Sequence, residues 1–193
     1  LGKSTGISFV DSTPLRVCKN QRIHIHKVFK GIAQRGKCSM GWFFGFKLHL
    51  ICNEKGELLN FMITPGDVDD RKPLEYKAFI DFIYGKPVGD KGYISKNLFQ
   101  RLFVDGIQLI TKLKSNMKGA LMSVSDRLLL RKRAIIETVN DELKNIAQVE
   151  HSGHRCFDNF IVNLLGAIAA YCLFPKKPCI NVQRTIDTQL ALF

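Results

Sequence analysis

Residues 7–17 read ISFVDSTPLRV, an apolar, β-branched-rich run that holds a single carboxylate, Asp11. Such a run reads as a strand inside a domain. A carboxylate within it is costly unless something pairs with it. The next acid in the chain is Glu54, and the 42 residues between them carry eight Lys or Arg side chains. The partner of Asp11 is therefore the question on which the reading of this chain turns.

Working outward, residues 18–41 are polar, basic and Gly-punctuated, and read as a loop or a ragged hairpin. FFGFKLHLIC then alternates, with Phe44, Phe46, Leu48 and Leu50 on one face and Lys47 and His49 on the other. The turn NEKGE joins it to LLNFMIT as a β-hairpin. A helix is expected over 71–83, with Leu74, Phe79, Ile80 and Ile83 inward. GKPVGDKGY reads as a short strand ending in a turn, SKNLFQRLFVDG as a helix capped by Ser95 and ended by Gly106, and IQLITKL as another strand. A basic connector is expected over 112–133, an amphipathic helix over 132–147 and an apolar helix over 157–173. Strands first, then strands and helices alternating, make a mixed α/β domain over 1–175, followed by a loosely held tail, 176–193.

At 193 residues, one domain with a full core fits. With 29 basic and 17 acidic residues the formal net charge is +12, which points to a polyanionic partner, nucleic acid before an anionic membrane. Six scattered cysteines without a C-x-x-C pair do not read as a disulfide framework and favour a reducing cytoplasm. The longest apolar run, 160–174, is too short to span a bilayer and carries Asn163. The chain opens at Leu1 and enters a strand almost at once, which reads as a piece of a longer protein.

Asp11 in the first strand, Asp90 where a short strand turns, and Glu137 on the long helix form a set able to converge at strand ends. Hard divalent cations, Mg²⁺ or Mn²⁺, take oxygen ligands and would supply the charge that Asp11 lacks. On the helix, Arg133, Glu137, Asn140 and Lys144 fall within about 60° of one another, beside an apolar arc of about 100° built on Ile135, Ile136, Val139, Leu143 and Ile146. The same spacing also describes a solvated face with an i, i+4 Arg–Glu pair, and periodicity alone does not separate the two.

The stretches SFVDSTPLRVC, GWFFGFKLHLICNEKGEL, TPGDVDDRKP, GDKGYIS, IQLITKLKSNMK and LLLRKRAIIETVNDELKNIAQVEHSGHR, in this order over almost the whole chain, resemble bacterial insertion-sequence transposases of the DDE type, the nine-eighty-two branch. The resemblance implies an RNase H-like fold, a mixed sheet flanked by helices. It implies Asp11, Asp90 and Glu137 as the catalytic and metal-binding triad, two Mg²⁺ ions with Mn²⁺ as a substitute, and DNA hydrolysis followed by strand transfer. The family pattern Tyr-x₂-Arg-x₃-Glu-x₆-Lys falls on Arg133, Glu137 and Lys144, with Leu130 at the tyrosine position. It also implies an N-terminal DNA-recognition region that this chain does not include.

On that reading the partner of Asp11 is a metal rather than a side chain of opposite sign. Double-stranded DNA, both element ends and target, is the macromolecular partner, with a homodimer in the synaptic complex, no membrane, and a bacterial, nucleoid-associated location. Arg133 and Lys144 are placed to hold phosphates or to steady Glu137. Lys91, Lys112, Lys114, Lys118, Arg131 and Lys132 are further candidates for phosphate contacts. Trp42 and the Phe43–Phe44 pair suit either base stacking or hairpin packing. Asp67, Asp69 and Asp70 read as acids favoured at a helix N-terminus rather than as catalytic groups. His24-x-His26 and His151-x₂-His154-x-Cys156 have ligand-like spacing but lack the paired cysteines of a closed zinc site, and His49 reads as a packed strand residue. Two rivals remain: an inert DNA-binding remnant, and an RNase H-like nuclease that cuts without joining.

Overall fold

In a computed structural model, residues 1–112, 122–150 and 154–181 are described. The strand read from ISFVDSTPLRV is β1, Ile7–Cys18. The polar segment after it holds a 3-10 turn at Asn20–Arg22 and a short strand, β2, Gln34–Cys38. β2 makes a tight hairpin with β3, Gly41–Asn53. β3 is long enough to take two partners along one edge: β2 pairs with its first residues, and β4, Leu58–Pro65, with Phe46–Cys52. Its other edge lies antiparallel to β1, with Asp11 opposite Leu50. The alternation read in FFGFKLHLIC is present, but both faces are buried, since Leu48, His49, Leu50 and Ile51 are all 1% exposed or less.

The helix expected over 71–83 does not form as one piece. The chain makes a 3-10 turn at Lys72–Glu75, is extended at Tyr76, and then gives one helical turn, α1, Lys77–Ile80. The break falls at Tyr76, whose backbone is extended, while Pro73 sits in the first turn, where a missing N–H is tolerated. The four inward residues are nonetheless buried: packing kept the apolar set while the backbone changed. β5, Lys86–Gly89, runs parallel to β1. α2, Lys96–Val104, starts where the Ser95 hydroxyl accepts from the Leu98 N–H, and the chain reverses at Gly106 with φ +75°, a backbone state open to glycine. β6 is two residues, Ile110–Thr111, parallel to β5, shorter than the strand expected from IQLITKL.

The basic connector ends in a helix that charge had hidden, α3, Val124–Lys132, capped by the Ser123 hydroxyl and tied to β5 by the Lys86–Asp126 ion pair at 2.8 Å. Arg133 separates it from α4, Ala134–Asn145, and α5, Phe157–Cys172, closes the layer. Alternation on β1 sends Phe9 and Leu15 into one apolar cluster with Ile136, Val139, Leu143 and Phe160, and Val10 into another with Phe79, Leu98 and Leu102. The mixed six-stranded sheet, in the order β2-β3-β1-β5-β6 with β4 beside β3, is thus covered by helices on both faces. Of the expected tail, residues 176–181 are described. The Ile180 N–H donates to the Glu54 carbonyl at 2.8 Å, and Lys177 Nζ to the Cys172 and Phe174 carbonyls. No helix among the described residues is long and apolar enough to cross a membrane.

Candidate active site

The parallel register of β1 and β5 pairs Phe9 with Val88. Carried on by two residues, it brings Asp90, just past the end of β5, level with Asp11. Side chains two apart on a strand share a face, so Asp11 points with Phe9 toward α4. That helix seats Ile136, Val139 and Leu143 in the core at 0% exposure, and the adjoining stripe of Arg133, Glu137, Asn140 and Lys144 follows. Asp11, Asp90, Glu137, Arg133 and Lys144 all line one cleft of about 430 Å³.

Inside it, Asn140 Nδ2 donates to Asp11 Oδ2 at 3.0 Å, and Arg133 Nη1 stands 4.0 Å from Asp11 Oδ1. The expectation that Asp11 is not paired with a side chain of opposite sign is therefore corrected: Arg133 stands by it, at the outer limit of an ion pair. The same guanidinium is engaged by Glu137 Oε1 one helical turn on. Burial raises the Asp11 pKa to about 6; Arg133 opposes the rise, and the neighbouring Asp90 and Glu137 carboxylates add to it. Lys144 Nζ donates to the Pro14 carbonyl at 2.8 Å and pairs with Glu150 at 3.2 Å, so it fastens α4 to β1.

Three residues of the cleft were not among the site candidates read from the sequence. Lys47 Nζ donates to the Val68 carbonyl and to Asp70 Oδ1, at 2.7 and 2.8 Å. Asp70, read as one of a set of helix N-terminal acids, belongs to this cleft. Tyr93 is 2% exposed, and its phenol is pushed well up by burial and then by Asp11 and Asp70. The alternation that set Lys47 opposite Phe46 was a signal for the first, and the spacing in GDKGY for the third. His49 is packed, its Nε2 within 2.8 Å of the Thr64 hydroxyl, and burial lowers its pKa to about 4.

None of the other basic candidates among the described residues lines the cleft. Lys91 is exposed on the 3-10 turn after Asp90 and does not line the cleft. Lys112, Arg131 and Lys132 are exposed. Lys114, Lys118 and His151 fall outside the described residues.

The donor set suits a hard divalent cation: three carboxylates, oxygen only, with the pKa of Asp11 raised by burial first and then by the charge of the other two. As they stand, no three His, Cys, Asp or Glu side chains among the described residues close around one ion. Glu137 is turned to Arg133 rather than to Asp11.

Comparisons with known proteins bear on the family and the fold. No curated protein matches the sequence. Among solved structures, the fold is similar to a piggyBac transposase in a synaptic complex with hairpin DNA, with a TM-score of 0.56 and 10% identity over 88% of this chain. At that identity the likeness concerns the fold, which is RNase H-like. The chain spans 46%, about half, of that transposase chain. The family profile described as a transposase DDE domain matches residues 1–157, a span that takes in Asp11, Asp90, Glu137, Arg133 and Lys144. This chain belongs to the transposase DDE domain family.

Proposed function

We propose that this chain is the catalytic domain of an insertion-sequence transposase, and that Asp11, Asp90 and Glu137 are the groups that cut and join DNA. The observation that carries the reading is the gathering of these three carboxylates in one cleft at the end of the parallel strands. They would hold two Mg²⁺ or Mn²⁺ ions. Bound there, such ions supply the Lewis acidity that activates an attacking oxygen and stabilises a leaving 3′-oxygen in an in-line displacement.

The chain's own residues do the rest. Asn140 holds one oxygen of Asp11 by a hydrogen bond and leaves Oδ1 facing the cleft. Glu137, more than half exposed, is free to swing from Arg133 toward the aspartates. Its departure would release the Arg133 guanidinium for a scissile-strand phosphate. Lys144 keeps α4 against β1, so that Glu137 is delivered at a constant height. Arg131 and Lys132, exposed at the end of α3 beside Arg133, extend the positive rim along which a DNA backbone would run. Lys112, Lys91, Lys114 and Lys118 are assigned to the same backbone. A dimer that pairs two element ends, acting on DNA in a bacterial cytoplasm, completes the reading.

The inert-remnant reading is favoured by one observation, the Arg133–Glu137 pair that leaves no closed carboxylate set. The experiment offers the protein a labelled duplex ending in a free 3′-hydroxyl, with supercoiled plasmid and Mn²⁺. A transposase joins label to plasmid; a plain nuclease nicks the plasmid without joining; a remnant binds both DNAs and changes neither.

A further inference from the structure

We propose that the β2–β3 hairpin carries a stacking platform for an unpaired nucleotide, centred on Trp42 and adjoining the carboxylate cleft; the proposal rests on the DNA-cutting reading above. Trp42 is the only tryptophan in the chain. It is 53% exposed while the next residue, Phe43, is 1% exposed, so hairpin packing accounts for the phenylalanine and not for the indole. Two cations from β2 stand by its ring, the Arg35 guanidinium carbon at 5.2 Å and Lys37 Nζ at 5.8 Å from the centroid. Cations over an indole hold it in place, and here they also surround it with positive charge.

The indole lines a groove of about 1060 Å³ that runs past Lys19, Arg22 and His26. The single acid among the described residues of that groove, Glu150, is taken up by Lys144 and by the Arg16 N–H. What the groove offers a ligand is therefore one exposed aromatic face and uncompensated positive charge. His26 Nε2 adds a buried nitrogen without a hydrogen-bond partner among the described residues. A positive groove with an aromatic face is the combination that receives single-stranded nucleic acid, since every base has a face to stack and every phosphate a charge to place. A base within a duplex has both faces covered, so the platform suits an overhanging or frayed nucleotide.

The hairpin also fixes where that nucleotide lies. Phe43 lines both the groove and the carboxylate cleft, and Lys37 lines the cleft while contacting Trp42. A strand cut at the carboxylates would cross the hairpin and lay its unpaired end on Trp42.

Because Trp42 is the sole tryptophan, its emission reads the platform directly. The parent protein is titrated with a blunt duplex and with the same duplex bearing a short single-stranded overhang, and fluorescence is followed beside the anisotropy of labelled DNA. The overhang should quench the emission. Trp42→Ala should weaken overhang binding roughly 5- to 100-fold and leave blunt-duplex binding unchanged, and Trp42→Phe should recover most of the loss. Overhang DNA bound without quenching, or bound equally by Trp42→Ala, would overturn the platform while leaving the DNA-cutting reading in place. Binding of neither DNA would remove both.

Discussion

Asp11 carries a charge that the folded chain disfavours. With its pKa at about 6 against an ordinary 3.8, the folded state holds the proton more tightly than the unfolded one, so this group makes stability fall as pH rises from about 4 to about 6, then level off. Asp11→Asn should therefore stabilise the metal-free protein at pH 7 by roughly 2–3 kcal/mol in urea melts with chelator, and by little near pH 4. A destabilised variant at pH 7 would show that Asn140 and Arg133 already compensate the carboxylate. Asn140→Ala removes the bond that orients Asp11; it should leave the fold intact and lower metal-dependent cutting about 10- to 100-fold, with weaker Mn²⁺ binding as the second readout. The three carboxylates were legible one at a time, as an acid in a strand, an acid at a turn and an acid on a helix stripe. The Asn140 contact joins residues 129 positions apart, and the Lys47–Asp70 pair depends on how a loop folds back on β3. No local pattern encodes either.

Between residue and domain stands α4, which places Glu137 because its apolar stripe is sunk in the core. Ile136→Ala empties a site with no solvent exposure and should cost about 2–5 kcal/mol by chemical denaturation; a loss below about 1 kcal/mol would mean that the helix is seated by other contacts. The β3–β4 hairpin, α2, α4 and α5 were all readable, since alternation, a serine cap and a 3.6-residue stripe are local signals. The segment 71–83 misled because burial of Leu74, Phe79, Ile80 and Ile83 does not need a continuous helix, and the backbone is extended at Tyr76. α3 was missed because its charged residues masked the inward Leu129 and Leu130. β6 came out short because the segment meets β5 in two separate places, a single bridge from Ile107 to Gly85 and the two-residue ladder to Val88 and Gly89.

Over the whole molecule, the net charge of +12 and the basic rim of the cleft predict backbone-dominated DNA binding. The logarithm of affinity should fall linearly with the logarithm of salt, with a slope of about −0.9 per phosphate contacted, and Arg131→Ala with Lys132→Ala should flatten it. A slope near zero would contradict the rim. On the proposed function, three carboxylates in one cleft cut DNA with a divalent metal. The direct measurement is Mn²⁺-dependent nicking of supercoiled plasmid by the parent protein beside Asp11→Asn, Asp90→Asn and Glu137→Gln, each variant first shown to be folded. The account predicts nicking by the parent that stops with chelator and is lost in all three variants. A folded Glu137→Gln protein that nicks as the parent does would contradict it.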